Sequence, residues 1–296
     1  MSQRRDTSGD FAAVTSMRAA APAVSAGAGI SVDHVHKRFF HNGRSIAALS
    51  DVSLSVGAGE FLSVIGPSGC GKSTLLRIIG GLITPDAGRV RIDDASPDEA
   101  RATKCFGLVP QTPALLPWRT VIGNVTLLRD VGRLGRRFRR DCRTKTPEDR
   151  TRDPMALLEQ VGLAPFAKSF PRELSGGMQQ RVSLVRAFSL GAPILLMDEP
   201  FAALDEMTRD AMRYQLLDVW SVTPTTVVFV THSISEAVIL SDRVITMAAR
   251  PGRVASVEEI TLARPRTEDM EDSEEFTVHA HHVRRSLRAS WEGRGP

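Results

Sequence analysis

The chain has 296 residues, 42% of them hydrophobic, and a formal net charge of +4, enough apolar material to bury one large or two modest cores. No apolar run approaches the about 18 residues needed to cross a bilayer. Cys70, Cys105 and Cys142 are odd in number and widely spaced, which argues against a disulfide framework or zinc site and for a reducing compartment. Arg129 to Asp153 alone holds ten basic and five acidic residues, so the remainder of the chain is slightly acidic. The basic balance is local and gives no grounds for a nucleic-acid partner.

In chain order, residues 1–29 are rich in Ala, Ser and Gly and are expected to form a disordered tail. Arg4-Arg5 hints at a twin-arginine signal, but Arg18, Pro22 and several Gly and Ser interrupt any apolar region behind it. Ile30 to Phe39 and Ala48 to Val56 alternate as strands do. Val56 to Glu60 reads as a turn, and Phe61 to Ile65 as a short apolar strand running into Gly66. Ser73 to Leu82 has helical spacing and stops at Gly80-Gly81. Arg89 to Asp93 and Cys105 to Val109 read as short strands. Val121 to Gly162 is Arg-rich, with helical patches such as Met155 to Val161, and is expected to be a mainly helical insertion. Ile194 to Met197 and Thr226 to Val230 are compact apolar runs of the kind buried in parallel sheets. Arg243 to Met247 and Arg253 to Val257 read as strands. Pro265 breaks the chain, Glu268 to Glu275 is acidic, and Phe276, Ala280, Val283 and Leu287 recur at helical spacing. There is no internal repeat, so a single unit and not a tandem pair is expected.

Three motifs carry chemistry. Gly66-Pro67-Ser68-Gly69-Cys70-Gly71-Lys72-Ser73, followed by Thr74, matches the Walker A pattern between an apolar strand and a helix. Its glycines let backbone N–H groups turn toward phosphates, and the helix N-terminus adds partial positive charge. Lys72 supplies a point charge, and the Ser73 hydroxyl is a Mg²⁺ ligand. Ile194 to Glu199 is a buried strand ending in two acids: Asp198 holds the cation, directly or through water, and Glu199 polarises an attacking water. Alone, such a strand end reads as ordinary solvated acids; with Walker A upstream it reads as Walker B. Leu174-Ser175-Gly176-Gly177-Met178-Gln179-Gln180-Arg181 precedes an apolar-periodic segment, Val182 to Leu190. Ser175 reads as an N-cap and the glycines as a second anion-binding device. A second phosphate device in a chain that already has one suggests a nucleotide face contributed to another copy. His232, at the end of the strand after Walker B, and Gln111, just past Val109, are weak signals in isolation.

Taken together, these residues resemble the ATP-binding subunit of an ATP-binding cassette (ABC) transporter over about residues 30 to 257. That resemblance implies an α/β P-loop NTPase fold with a RecA-like core, an antiparallel β subdomain and an inserted helical subdomain at about 112–190, followed by an extension, 258–296, with a short helix. It implies ATP and Mg²⁺, with Phe39 (or its neighbour Phe40) stacking on adenine and residues 66–74 cradling the phosphates. It further implies a Q-loop at Gln111 that senses Mg²⁺ and the membrane subunit, a signature at 174–181 including Gln179, a D-loop Ala202-Ala203-Leu204-Asp205, and a switch histidine, His232. Lys72, Glu199 and His232 are the expected catalytic residues; Ser73, Gln111 and Asp198 are the expected metal ligands.

The partners implied are a second copy of the chain, permease subunits and, indirectly, a solute-binding protein, at the cytoplasmic face of a bacterial inner membrane. Leu115 to Val121, Thr231 to Val238, Ala249 to Arg253 and Arg264-Pro265-Arg266 resemble importers of the nitrate/sulfonate/taurine type. The alternative is a soluble ABC-type ATPase acting outside transport. The basic stretch 129–153 reads as a solvated face, or as a segment that approaches anionic lipid head groups.

Overall fold

The computed structural model describes residues 28–41, 43–134, 153–222 and 225–292. Most of the tail and of the basic stretch expected at 129–153 thus lies outside the described residues.

Two sheets organise the molecule. Strands β1 (Ala28–His41), β2 (Arg44–Gly57) and β4 (Ala87–Ile92) form an antiparallel sheet of order β2-β1-β4. The second sheet contains β3 (Phe61–Ile65), β5 (Phe106–Val109), β6 (Ile194–Asp198), β7 (Thr226–Thr231), β8 (Arg243–Ala248) and β9 (Arg253–Glu259), in the order β5-β6-β7-β3-β8-β9. Its first five strands run parallel, and β9 joins antiparallel to β8. Every residue of β3, β6 and β7 is buried, which is why these strands read as unbroken apolar runs.

Side chains alternate across that sheet and divide it between two cores. Phe61, Leu195, Met197, Val227 and Phe229 face one core, which also holds α5 (Gly176–Ser189), α6 (Glu206–Val222), α7 (Ile234–Leu240) and part of α8 (Glu274–Glu292). Residues of α3 (Val121–Leu134) and α4 (Pro154–Gln160) close the same core from the insertion. Leu62, Val64, Leu196, Val228 and Val230 face the other core, with α1 (Lys72–Ile79) and the antiparallel sheet. A one-turn helix, α2 (Pro97–Ala102), carries a capping box in which Ser96 and Glu99 satisfy each other's backbone N–H.

The α/β reading, the antiparallel subdomain and the helical insertion agree with the architecture observed. Three elements differ from sequence expectation. The C-terminal helix runs for 19 residues, longer than the short helix expected, because it continues at both ends beyond the apolar stripe from Phe276 to Leu287. Helices α6 and α7 are not evident from the sequence pattern. Cys105 is disulfide-bonded, against the expectation from cysteine spacing, since separation along the chain does not report distance in space.

Phe229 lies at the centre of the larger core, with its ring centroid 5.9 Å from that of Phe61 and 5.6 Å from that of Phe201. Phe229→Ala is expected to cost about 3–5 kcal/mol, read as a lower urea midpoint with an unchanged m-value.

Candidate functional site

Strand β7 lies between β6 and β3, so the carboxyl ends of all three meet at one place, where open α/β sheets present their site groups. The register sets Asp198 opposite Val230 and Ile65 opposite Thr231. Past these ends come residues 66–71, Glu199 and His232.

The loop from Gly66 to Gly71 leads directly into α1. Gly71, the N-cap, has φ +94°, in the left-handed region, and a Cβ there would fall 2.6 Å from Leu49 Cδ2. A Cβ on Gly66 would fall 2.6 Å from the Met247 carbonyl. Neither position accepts a side chain without displacing its surroundings. Pro67 and Cys70 are buried beneath the loop, Ser68 and Gly69 are exposed at its tip, and Thr74 is half-buried in the first turn of α1.

Lys72 is 6% exposed, and its ammonium donates to the Gly66 carbonyl at 2.8 Å and to that of Pro67 at 3.3 Å. It also lies 3.9 Å from Glu199 Oε1. The Ser73 hydroxyl donates to Asp198 Oδ1 at 2.7 Å. His232 Nδ1 lies 3.3 Å from Glu199 Oε2. Lys72, Glu199 and His232 thus form one polar set and Ser73 with Asp198 another, and the two adjoin as a cluster through the chain neighbours Asp198 and Glu199, and Lys72 and Ser73. Glu199 has φ +45°, a left-handed conformation that costs a non-glycine residue energy and is common where function demands it. Its N–H donates to the Val230 carbonyl at 2.9 Å, which fixes the turn.

The other expected site residues lie outside that cluster's hydrogen bonds and ion pairs. Phe39 is on β1, 40% exposed, with the Lys37 ammonium 5.6 Å above its ring; Phe40, on the opposite face of the strand, is 80% exposed. Gln111 is exposed just past β5. Ser175 caps α5 by accepting from the Met178 N–H, and Gly176 and Gly177 open that helix. Gly176 has open space where a Cβ would stand. The Gln179 amide is turned onto its own chain, donating to the carbonyls of Pro171 at 3.0 Å and Leu174 at 3.3 Å, so it braces the turn that presents Ser175. Asp205 accepts from the Thr208 N–H at 3.0 Å and so caps α6; that hydrogen bond holds its carboxyl below the usual range.

Sequence reasoning missed several supporting groups. Asn124 is fully buried and ties down the loop after Gln111. Its Oδ1 accepts from the Leu116 N–H, and its Nδ2 donates to the carbonyls of Leu116, Arg119 and Thr120. Arg186, on the helix that Ser175 caps, donates to the Pro113 and Ala114 carbonyls, both at 2.8 Å; burial lowers its pKa. The residues after Gln111 and the 174–181 helix are therefore mechanically joined. Arg209 binds the Leu204 carbonyl at 2.7 Å and approaches Glu236, a buried acid whose pKa is raised by that burial. Glu236 in turn accepts from the Thr231 hydroxyl beside His232. In sequence, these residues look like ordinary surface polar positions.

The ABC transporter family matches residues 49–202. An uncharacterized ABC transporter ATP-binding protein of Methanocaldococcus jannaschii is 44% identical, over 80% of this chain and 84% of its own length. The aliphatic sulfonates import ATP-binding protein SsuB of Bacillus cereus is 38% identical, over 83% and 92%. The taurine import ATP-binding protein TauB of Rhizobium johnstonii is 42% identical, over 79% and 85%. Among solved structures, the dimeric form of MJ0796, a bacterial ABC transporter cassette, superposes with a TM-score of 0.63 at 34% identity, covering 79% of this chain and 100% of the other. A post-hydrolysis state of the same cassette, bound to ADP and Pi, gives 0.64 at 33% identity with the same coverage. With the phosphate loop, the paired acids and the 174–181 segment all present on this fold, the chain belongs to the ABC transporter ATP-binding family and resembles its sulfonate and taurine import subunits.

Proposed function

We propose that this chain hydrolyses ATP to drive a bacterial importer of small sulfonated or similarly anionic solutes. The observation that carries the reading is the convergence of Lys72, Ser73, Asp198, Glu199 and His232 at three adjacent strand ends. The uncapped start of α1 and the glycine-lined turn before it fit a chain of phosphates. Ser73 and Asp198 bring two oxygen donors together, the donor set a hard cation takes, and Mg²⁺ held there neutralises phosphate charge. Phe39 offers a ring for adenine, and Gln111 a further polar contact at the cation.

Hydrolysis needs water to attack the γ-phosphorus as the bond to ADP breaks. Glu199 accepts the water's proton, and His232, beside it, orients that carboxylate toward the γ-phosphate. Lys72 offsets the charge on the transferring group. Ser175, Gly176 and Gly177, on a turn braced by Gln179, form a second exposed helix start and are assigned to the nucleotide held by a second copy; the dimeric cassette relatives support that assembly. We assign nucleotide binding to residues 30–257, the helical subdomain to about 112–190 and an extension to 258–296. Among the described residues no helix is long and apolar enough to cross a membrane, which suits a peripheral subunit docked on permease subunits at the cytoplasmic face. A solute-binding protein would then deliver the cargo.

Glu199→Gln is expected to accumulate an ATP-bound dimer by size exclusion; turnover at the wild-type rate removes Glu199 from the chemistry. Lys72→Ala is expected to weaken nucleotide affinity by about tenfold to a hundredfold, the range for losing one hydrogen bond to a charged group, and titration with a fluorescent ATP analogue reads it. Transport is tested by co-expressing the chain with its permease, supplying the solute-binding protein, and following uptake of taurine and alkanesulfonates into vesicles. ATP hydrolysis without uptake of either class overturns the solute assignment.

A further inference from the structure

The segment Arg264-Pro265-Arg266 lies well outside the catalytic cluster, yet it governs the far end of a helix that starts beside that cluster. Helix α7 begins at Ile234, with only Ser233 between it and His232. It has seven residues, far below the roughly 12 an isolated helix needs in water. Its N-terminus is fixed by Ser233, which accepts from the Glu236 N–H, and by Glu236, which accepts from the Thr231 hydroxyl. At its C-terminus no left-handed glycine closes the helix: Ser241 is extended, with φ −104° and ψ 152°. The last carbonyls are satisfied from the extension instead.

Arg266 donates to the carbonyls of Val238 and Ile239 at 3.0 Å each and to that of Ser241 at 2.7 Å. Arg264 donates to the Leu240 carbonyl at 2.9 Å and to Asp242 at 2.8 Å, and its guanidinium lies 4.3 Å over the Trp220 ring at the end of α6. Arg266 is 6% exposed. Burial presses its pKa down to about 10, so it keeps its charge at neutral pH, at the negative end of the helix dipole. While Nη1 holds these three carbonyls, Nε and Nη2 reach the Leu262 carbonyl at 3.4 and 3.2 Å, a spread of donors that the single ammonium of a lysine does not reproduce.

We infer that Arg266, seconded by Arg264, is a positioning residue for His232: it caps the distal end of α7 and so sets where the proximal end delivers that imidazole. The inference rests on the role proposed above for His232. The extension beyond residue 258 is then part of the catalytic apparatus, and a change there alters turnover without touching nucleotide.

A double-mutant cycle on the full chain, reading kcat and KM for ATP, tests this. Arg266→Ala is expected to lower kcat by about tenfold while KM stays within about twofold; introduced into His232→Ala, it is expected to cost less than about twofold more, because residues acting as a unit are non-additive. Arg266→Lys keeps the charge with fewer well-aimed donors and is expected to fall between, and it supplies the same cycle if the alanine variant does not fold. Equal fold losses in both backgrounds, an unchanged kcat, or a parallel loss of ATP affinity overturns the inference. Wild-type turnover by His232→Ala alone overturns instead the reading of His232, and its positioning by Arg266 with it.

Discussion

The parallel pairing of β3 with β7, and of β7 with β6, is the constraint on which the site depends. The three strands are far apart in sequence, but their ladders hold the ends of Ile65, Asp198 and Thr231 side by side. Each strand is buried on both faces, so a slip in register would exchange the residues of two packed cores. The hydrophobic division of Phe61, Leu195 and Phe229 from Leu62, Leu196 and Val228 therefore fixes where Lys72, Glu199 and His232 sit. Burial of apolar side chains, at about 25 cal/mol per Å², is what keeps this polar cluster assembled.

Assembly carries local costs. Glu199 sits at φ +45°, a conformation worth about 1–3 kcal/mol of strain in a non-glycine residue. Lys72 is buried, and burial of an ammonium is tolerated only with partners; the Gly66 and Pro67 carbonyls and Glu199 provide them. The same carbonyl contacts hold Lys72 against its own loop. A chain shaped only for stability would relax Glu199 and replace Lys72. Both departures fall at the same strand end, where the proposed chemistry would take place.

How much of this was legible in the sequence follows from the range of each signal. Residues 66–74, 194–199 and 174–181 are contiguous motifs, and apolar runs such as Phe61 to Ile65 announce buried strands, so the fold class and the members of the cluster could be read directly. The strand order could not, because it depends on pairings among distant segments. Arg186 bonds to carbonyls 72 and 73 positions away, and nothing in its own neighbourhood predicts that. Asn124 reads as one more polar residue of an amphipathic helix until its amide is seen holding the residues after Gln111. Helix α6 alternates charged and apolar positions without a clean stripe, and α7 is too short to show a period. The pairing of Cys105 was equally invisible.

The helix starts explain why one of them is suited to a ligand while the others serve the protein. Helices α5, α6 and α7 each begin with a side-chain acceptor, Ser175, Asp205 and Ser233, that takes an early backbone N–H. Helix α1 begins at Gly71, which has no side chain to offer, so no side chain caps its first turn. Four N–H groups at any helix start lack intrahelical partners, and at α1 the glycines that permit the tight turn also withhold the cap. The positive end of α1 is therefore available to an anion, while Lys72 adds a full charge at the same place. Ser175 shows the intermediate case: it satisfies one N–H at 3.3 Å, is exposed, and leaves Gly176 beside it with open space. A helix end that is partly capped and open to solvent suits a group brought by another molecule, whereas the uncapped end of α1 suits one held within the chain's own fold.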